Sequence, residues 1–447
     1  MGEVTPLTRA QRLLAVGLVL GVTLVAFEVT AVVTAMPTIA DVLDGDSLFG
    51  LASASYTLAT MVALVAAGEL ADRRGAALPY LLSIGTFIAG LALAAAAPSM
   101  VWVVIARTMQ GIGSGGLAPI AYTLVQRAFP VERHATMFAV LSAGWVLPSL
   151  FAPAVSGLLV DTVGWRWVFL GIIPLAVLVA ALATPPMRHF GPTTSERPPT
   201  RIGHAVVAAA GIGALATGVR ADSVWLAVPL TLVGAVLGLR ALRHLLPSGT
   251  GRGSRGLPAI LASRLLATAT FMGVDAFVPL GVARIHGASP TVQGFVIIGA
   301  AVMWTVGQWV RARRPGIEPH RAIRNGFAVL AVGVVLTAPV LWDRWPLALV
   351  FVGWSVGGLG MGLVFNPTTI ASTKYAVDGR QGQVASQVSL ADSVGFSVMG
   401  AIGGGWVALA DRTDFTIQGA LGVNFALAAL CGAAGVVVAR RIVLPQS

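Results

Sequence analysis

The sequence predicts an all-α integral membrane protein, and three observations carry that expectation. Of the 447 residues, 56% are hydrophobic and only 11% charged, with a mean hydropathy of +0.84, beyond what a water-soluble domain sustains. The charge-poor stretches are long, mostly about 18 to 30 residues, enough to cross a hydrocarbon core of roughly 30 Å as tilted helices. They lack the short alternating segments of a barrel, so each must satisfy its backbone internally as a helix. Third, the Lys and Arg residues are distributed unequally between alternate loops.

Fourteen such spans can be marked, near 13–40, 48–70, 78–97, 100–127, 134–160, 165–184, 203–220, 223–245, 258–285, 290–312, 320–341, 346–372, 380–409 and 416–441. With the N-terminus cytoplasmic, 22 of the 29 basic residues fall on the inner side and five on the outer, and Arg107 and Arg264 lie within spans. This positive-inside bias predicts a multi-pass protein of the plasma (cytoplasmic) membrane with both termini in the cytoplasm. The net charge of +11 then describes the cytoplasmic rim, with no nucleic-acid partner needed. The first hydrophobic run is too long for a signal peptide and stays on as a helix. The single cysteine, Cys431, excludes an intrachain disulfide. Most of the tryptophans fall near span ends, as an interfacial belt would place them, whereas Trp145, Trp304 and Trp354 lie deeper, where they pack or stack on a ligand.

The chain repeats itself. Residues 46–75 echo 288–316, and QGIGSGGLAPIAYTLVQRAFP (110–130) echoes GGLGMGLVFNPTTIASTKYAV (357–377), in the same order. The expected organisation is a six-helix bundle at 1–185, cytoplasmic linkers with an inserted helix pair (about 203–245) at 186–256, and a second six-helix bundle at 257–447. Gly111, Gly113, Gly115 and Gly116, like Gly357, Gly358, Gly360 and Gly362, are expected to let helices approach closely.

Glu28 lies about 24 Å from Arg12 and about 20 Å from Asp41 along a helix, counted at about 1.5 Å per residue. With Asp275, Asp392, Arg107 and Arg264 it makes five ionisable groups within spans, each costing at least about 2.5 to 3.5 kcal/mol at a helix centre. Arg264, some six residues into its span, is expected to snorkel to the cytoplasmic interface. Arg107 is deeper and needs a partner or a wet cavity. Asn366, Asn424 and Gln308 are expected to bond between helices.

Several stretches resemble the major facilitator superfamily, in particular its fourteen-span drug:proton antiporter branch. GELADRRGAA is similar to the signature loop between helices two and three, through Gly68, Leu70, Asp72, Arg73 and Gly75, with Ala76 and Ala77 where basic residues are usual. RTMQGIGSGG matches an R-x-x-Q-G-x-G motif through Arg107, Gln110, Gly111 and Gly113. PSLFAPAVSGLL keeps Pro153 and Gly157 of the antiporter motif but has Ala152 and Ser156 in place of glycines. GWRWVFLGIIP resembles another stretch common in this branch, and FEVTAVVTAMPTIA its helix-one motif, with Glu28 at the acidic position.

The resemblance implies two rocking bundles around a central cavity bordered by Glu28, Arg107, Asp275 and Asp392. It also implies a cytoplasmic latch between Asp72 and the start of helix thirteen near Gly382, where the alternative is a turn that only orients the chain. A carboxylate in such a cavity can trade a proton for cargo. Glu28 is then the proton acceptor, Asp275 and Asp392 its second-half counterparts, and Arg107 with Gln110 the groups that position it. For each acid the alternative is a fixed buried pair with no transport role. The expected function is proton-coupled efflux of amphipathic or cationic small molecules by a monomer in the lipid bilayer, with the proton gradient as energy source and no cofactor. Export of a specific metabolite, antibiotic or lipid is the alternative. An enzyme is disfavoured: the six histidines lie in loops or near span ends, without a metal-ligand cluster or a nucleophile beside a base.

Overall fold

The computed structural model describes residues 6–192, 200–221, 223–313, 317–376 and 380–444. Part of the first expected linker, 193–199, lies outside the described residues. The helices run α1 (Arg9–Val42), α2 (Asp46–Arg74), α3 (Ala77–Ala95), α4 (Met100–Ala128), α5 (Val131–Ala143), α6 (Val146–Thr162), α7 (Arg166–Leu170), α8 (Ile173–Met187), α9 (Ile202–Gly218), α10 (Val224–Leu245), α11 (Leu257–Asp275), α12 (Val278–Arg284), α13 (Pro290–Ala312), α14 (Pro319–Thr337), α15 (Leu347–Thr373), α16 (Gln381–Arg412) and α17 (Ile417–Ala439). Eleven helices among the described residues are long and apolar enough to cross a membrane, and Phe151–Thr162 and Ile202–Gly218 are shorter apolar helices. α4 is not among them despite its 29 residues, because Arg107, Gln110 and its glycines dilute its hydropathy.

Three expected spans are interrupted. α5 gives way to α6 at Gly144 and Trp145, α7 to α8 at Gly171 and Ile172, and α11 to α12 at Ala276 and Phe277. The last two breaks precede Pro174 and Pro279. Proline has no N–H to give the carbonyl four residues back, and its ring clashes with that carbonyl, so the helix bends or stops before it.

The chain divides into two compact units, Met1–Ala209 with Ala376–Ser389, and Ala210–Tyr375 with Leu390–Ser447. The division differs from the expected boundaries in two places. α9 is divided after Ala209, and the first turns of α16 belong with the first unit, because Gly382 and Gln383 bond to Asp72 there.

Each unit is organised around a glycine-bearing hub helix. In the first, α4 packs against α2 and α3, while α1 packs against α6 and α8. Gly111 and Gly115 turn to α2, where a Cβ on Gly115 would meet the Thr60 carbonyl oxygen at 2.5 Å; Gly113 turns to α3, where a Cβ would stand 2.5 Å from the Phe87 nitrogen. In the second, α15 packs against α13 and α14. Gly358 and Gly362 press on the Ala300 and Trp304 carbonyls of α13, and Gly360 on Leu330 of α14. The two echoed sequences thus build the same device, a helix whose glycines alternate between two neighbours.

α9 and α10 form a hairpin in which Gly211 lies against Gly238 and Gly234, and a Cβ on Gly211 would stand 2.5 Å from the Gly238 nitrogen. Its turn is fastened to α16 within the second unit. Arg412 donates to the carbonyls of Arg220 (2.8 Å) and Ala221 (3.1 Å), and Gly404 and Gly405 make room for Arg220 and Val219.

These contacts predict opposite outcomes for two glycines. Gly113→Ala forces its methyl into the α3 backbone and destabilises by about 1 to 3 kcal/mol. Gly157 in α6 has open space around the added methyl, so Gly157→Ala is neutral or stabilises by up to about 1 kcal/mol through helix propensity. Thermal unfolding of the two variants in detergent separates these outcomes.

Candidate functional site

In the first unit, α1 and α4 bring Glu28, Arg107 and Gln110 together. Glu28 is fully buried and Arg107 nearly so. Arg107 Nη1 donates to Glu28 Oε1 and, at 2.7 Å, to Gln110 Oε1. The guanidinium also lies over the Tyr56 ring of α2, 4.2 Å from its centroid, a cation–π contact that shares out the charge. The Tyr56 hydroxyl interacts with Glu28 and with Ser114. Arg107 Nε and Gln110 Nε2 are buried without a hydrogen-bond partner. The bridge is therefore compensated in charge but incomplete in hydrogen bonds. Tyr56 was not legible as a site residue, since an isolated aromatic in a span reads as packing; the signal is only its place on the helix facing Gly111.

At the end of α2, Asp72 accepts from the Gly382 amide (2.8 Å) and the Gln383 amide (2.9 Å). These are the first turn of α16, whose N–H groups have no partner within the helix and whose dipole favours an anion. Gly68 is in van der Waals contact with Gly382 and Ser386, and a Cβ there would clash. Gly75 takes φ +82 and packs its bare Cα against Phe190 and Gly191, a conformation that glycine alone adopts without strain. Arg73 approaches Glu69 at 3.8 Å, and Glu69 accepts from the Arg201 amide at 2.8 Å. In α6, Pro153 lies inside the helix, and Ser156, where the motif has glycine, donates to the Ala31 carbonyl of α1 at 2.7 Å. That departure makes an interhelical bond one turn from Glu28.

The second unit corrects one expectation. Arg264 does not snorkel: its side chain is fully buried. It grips Asp392 of α16 with two bonds, Nε to Oδ1 at 2.5 Å and Nη2 to Oδ2 at 2.8 Å. Nη1 donates to the Phe365 carbonyl (2.6 Å), Thr369 (2.8 Å) and Thr368 (3.1 Å) of α15, and the Phe365 ring lies 3.2 Å from the guanidinium carbon. Thr268 donates to the same carboxylate at 3.0 Å. Position near a helix end suggested a route to water; the acceptors on α15 and α16 removed the need for one. Asp275 takes no part in this cluster of bonds. It ends α11 and accepts from the Trp354 indole at 2.7 Å, and Trp354 stacks on Phe271 with centroids 5.0 Å apart. Of the deep tryptophans, Trp354 is thus fully buried packing, while Trp145 is 48% exposed. Trp165, expected in the interfacial belt, is 4% exposed. Asn424 of α17 donates to the Gly273 carbonyl at 2.6 Å, as interhelical bonding requires, whereas both amide atoms of Gln308 are buried without a partner.

Helices of bilayer length, two hub helices of like design and charges buried in spans define a multi-pass membrane protein. The Major Facilitator Superfamily model matches residues 18–400, and the chain belongs to that family of transporters. Multidrug resistance protein 3 of Bacillus subtilis is 25% identical over 417 residues, covering 89% of this chain and 80% of that protein. A probable multidrug-efflux transporter of Mycobacterium tuberculosis is 29% identical over 411 residues, covering 86% and 84%. Among solved structures, the human organic anion transporter MFSD10 (TETRAN) superposes with a TM-score of 0.72 at 14% identity, over 96% of this chain and 99% of that one. The likeness establishes the major facilitator fold.

Two stability outcomes follow from the pairs. Arg264→Ala strands Asp392 among helices and costs about 3 to 5 kcal/mol, and replacing both partners by leucine recovers much of that loss; chemical denaturation of the single and double variants checks it. Asp72→Ala removes the acceptor of two amides, so hydrogen exchange at Gly382 and Gln383 accelerates by about tenfold or more, read by mass spectrometry.

Proposed function

We propose that the chain is a proton-coupled antiporter that exports amphipathic, cationic small molecules by alternating access. The observation that carries this reading is the Glu28–Arg107–Gln110 cluster. A proton on Glu28 replaces an ion pair by a neutral hydrogen bond and frees the guanidinium to shift toward Tyr56 or cargo, so proton occupancy alters the packing of α1 on α4. The names of the bacterial relatives, a multidrug resistance protein and a probable multidrug-efflux transporter, support the cargo class. The interrupted pairs α5/α6, α7/α8 and α11/α12 count as one span each, which gives fourteen spans: two six-helix bundles with α9 and α10 inserted. The protein sits in the plasma membrane as a monomer with both termini cytoplasmic, powered by the proton gradient without a cofactor, and Asp72 with the start of α16 is a latch that closes in one state.

In proteoliposomes, an imposed pH gradient drives ethidium uphill through the wild-type protein. Glu28→Gln remains folded and loses uphill movement while downhill exchange persists. Undiminished uphill transport by that variant removes Glu28 from the mechanism.

A further inference from the structure

Three residues before Asp72, and so on the same face near the end of α2, stands a second carboxylate. Glu69 Oε1 accepts from the Arg201 amide at 2.8 Å and Oε2 from the Thr200 hydroxyl at 3.1 Å, and α9 begins at the next residue, Ile202. Glu69 thus holds the start of α9 as Asp72 holds the start of α16 through the Gly382 and Gln383 amides. The cause is the same at both: the first N–H groups of a helix have no partner within it, and the helix dipole draws an anion there. One turn of α2 therefore carries two anchors, for two different helices.

The two helix starts are also joined to each other. With its side-chain oxygen turned to the guanidinium, Gln383 accepts from Arg201 Nη1 at 2.8 Å and Nη2 at 3.2 Å, a charge-assisted fork. Arg201 is held twice, by its main chain at Glu69 and by its side chain at Gln383. Gln383 is likewise held twice, by its main chain at Asp72 and by its side chain at Arg201. Glu69, Arg201, Gln383 and Asp72 close a ring whose fourth side is α2 itself. Gly68, beside Glu69, keeps that ring tight: a Cβ there would stand 2.5 Å from the Gly382 carbonyl oxygen. Groups in one such network do not break independently. When the start of α16 leaves Asp72, the Gln383 side chain leaves with it, and Arg201 gives up either the fork or Glu69. Both outcomes loosen the start of α9.

We propose that Glu69 and Asp72 form a paired anchor from which α9 and α16 are released together, so that the inserted helix pair belongs to the cytoplasmic latch. The inference rests on the reading of Asp72 with the start of α16 as a latch, and it adds the inserted pair to the moving parts. Glu69 alone would make the start of α9 a fixed corner. The fork to Gln383 is what ties that corner to the state of α16.

The test is hydrogen exchange by mass spectrometry on the full-length protein in detergent, read in peptides that cover Arg201–Ile202 and Gly382–Gln383. Asp72→Ala, which leaves Glu69 in place, accelerates exchange at Arg201 by about threefold or more, in addition to its effect on its own two amides. Gln383→Ala keeps the main-chain bond to Asp72 and removes the fork; in that background Asp72→Ala leaves exchange at Arg201 unchanged. Asp72→Asn, which keeps an acceptor and loses the charge, gives the same pattern to a smaller extent and carries the test if melting curves show Asp72→Ala to be unfolded. Unaltered exchange at Arg201 in the Asp72 variants overturns the proposal, as does an acceleration that persists in the Gln383→Ala background. Ethidium added to the wild-type protein separates the paired anchor from the latch itself. A change in exchange at both helix starts supports both, a change at one start without the other sinks only the paired anchor, and no change at either overturns the latch reading.

Discussion

A charge within a lipid-spanning helix must be compensated by protein, since the hydrocarbon offers nothing, and much of this molecule follows from that constraint. The cost is several kcal/mol for each uncompensated group, comparable with the net stability of a domain. The helices that carry charge are accordingly set among closely packed neighbours. α4 brings Arg107 to Glu28 while its glycines meet the backbones of α2 and α3. α16 brings Asp392 to Arg264, with Gly395 pressed on the Leu265 carbonyl at 2.6 Å from where its Cβ would lie. In α4 the glycines fix the helix against α2 and α3, and the link to α1 is made by the reach of the Arg107 side chain itself.

The helices were largely legible in the sequence because their signal is strong and local. Long apolar runs bounded by arginines admit one structure, and each marked stretch contains a helix. The breaks were less legible: Pro279 and Pro174 were visible, but a span containing proline remains apolar in sum, so hydropathy passes over the interruption. The partner of Asp72 came only from the family resemblance, although its chemistry is plain once the start of α16 is beside it. The fate of Arg264 was not legible. Its distance from the span end measures a path to the interface along one helix, whereas the acceptors it found, Phe365, Thr368, Thr369 and Asp392, lie on two others more than a hundred residues away in sequence. Side-chain pairing between distant helices leaves no trace in a single sequence. Tyr56 was missed for the same reason.

The two arginine bridges look alike as charge pairs and differ as hydrogen-bonded structures. The five N–H groups of Arg264 face a carboxylate on both its oxygens, a main-chain carbonyl and two threonine hydroxyls, which is close to the full capacity of a guanidinium. Arg107 meets one carboxylate oxygen and one amide oxygen through a single nitrogen, with Nε left over and a tyrosine ring beneath. Separating Arg264 from Asp392 strands a carboxylate and leaves three acceptors on α15 holding the arginine where it is. Separating Arg107 from Glu28 leaves an arginine that already has the Gln110 oxygen and the Tyr56 face.

That asymmetry decides which bridge a proton can open. Neutralising a carboxylate removes the Coulomb attraction of its pair, worth about 4 kcal/mol at an effective dielectric of 20 and a separation of 4 Å. The gain is realised as movement only if the arginine is not pinned by other bonds. At Arg264 the contacts to Phe365, Thr368 and Thr369 persist whatever the state of Asp392, so a proton there changes the charge of the site and little of its shape. At Arg107 the remaining contacts come from its own helix, through Gln110, and from the broad face of Tyr56, which permits sliding because a cation–π contact has a shallow dependence on lateral position. On the proposed antiport reading, a proton on Glu28 loosens α1 from α4 directly. In the proposed cycle the first unit's bridge is the moving part and the second unit's is a brace, and it is the count of hydrogen bonds around each arginine, more than the charges themselves, that separates the two roles.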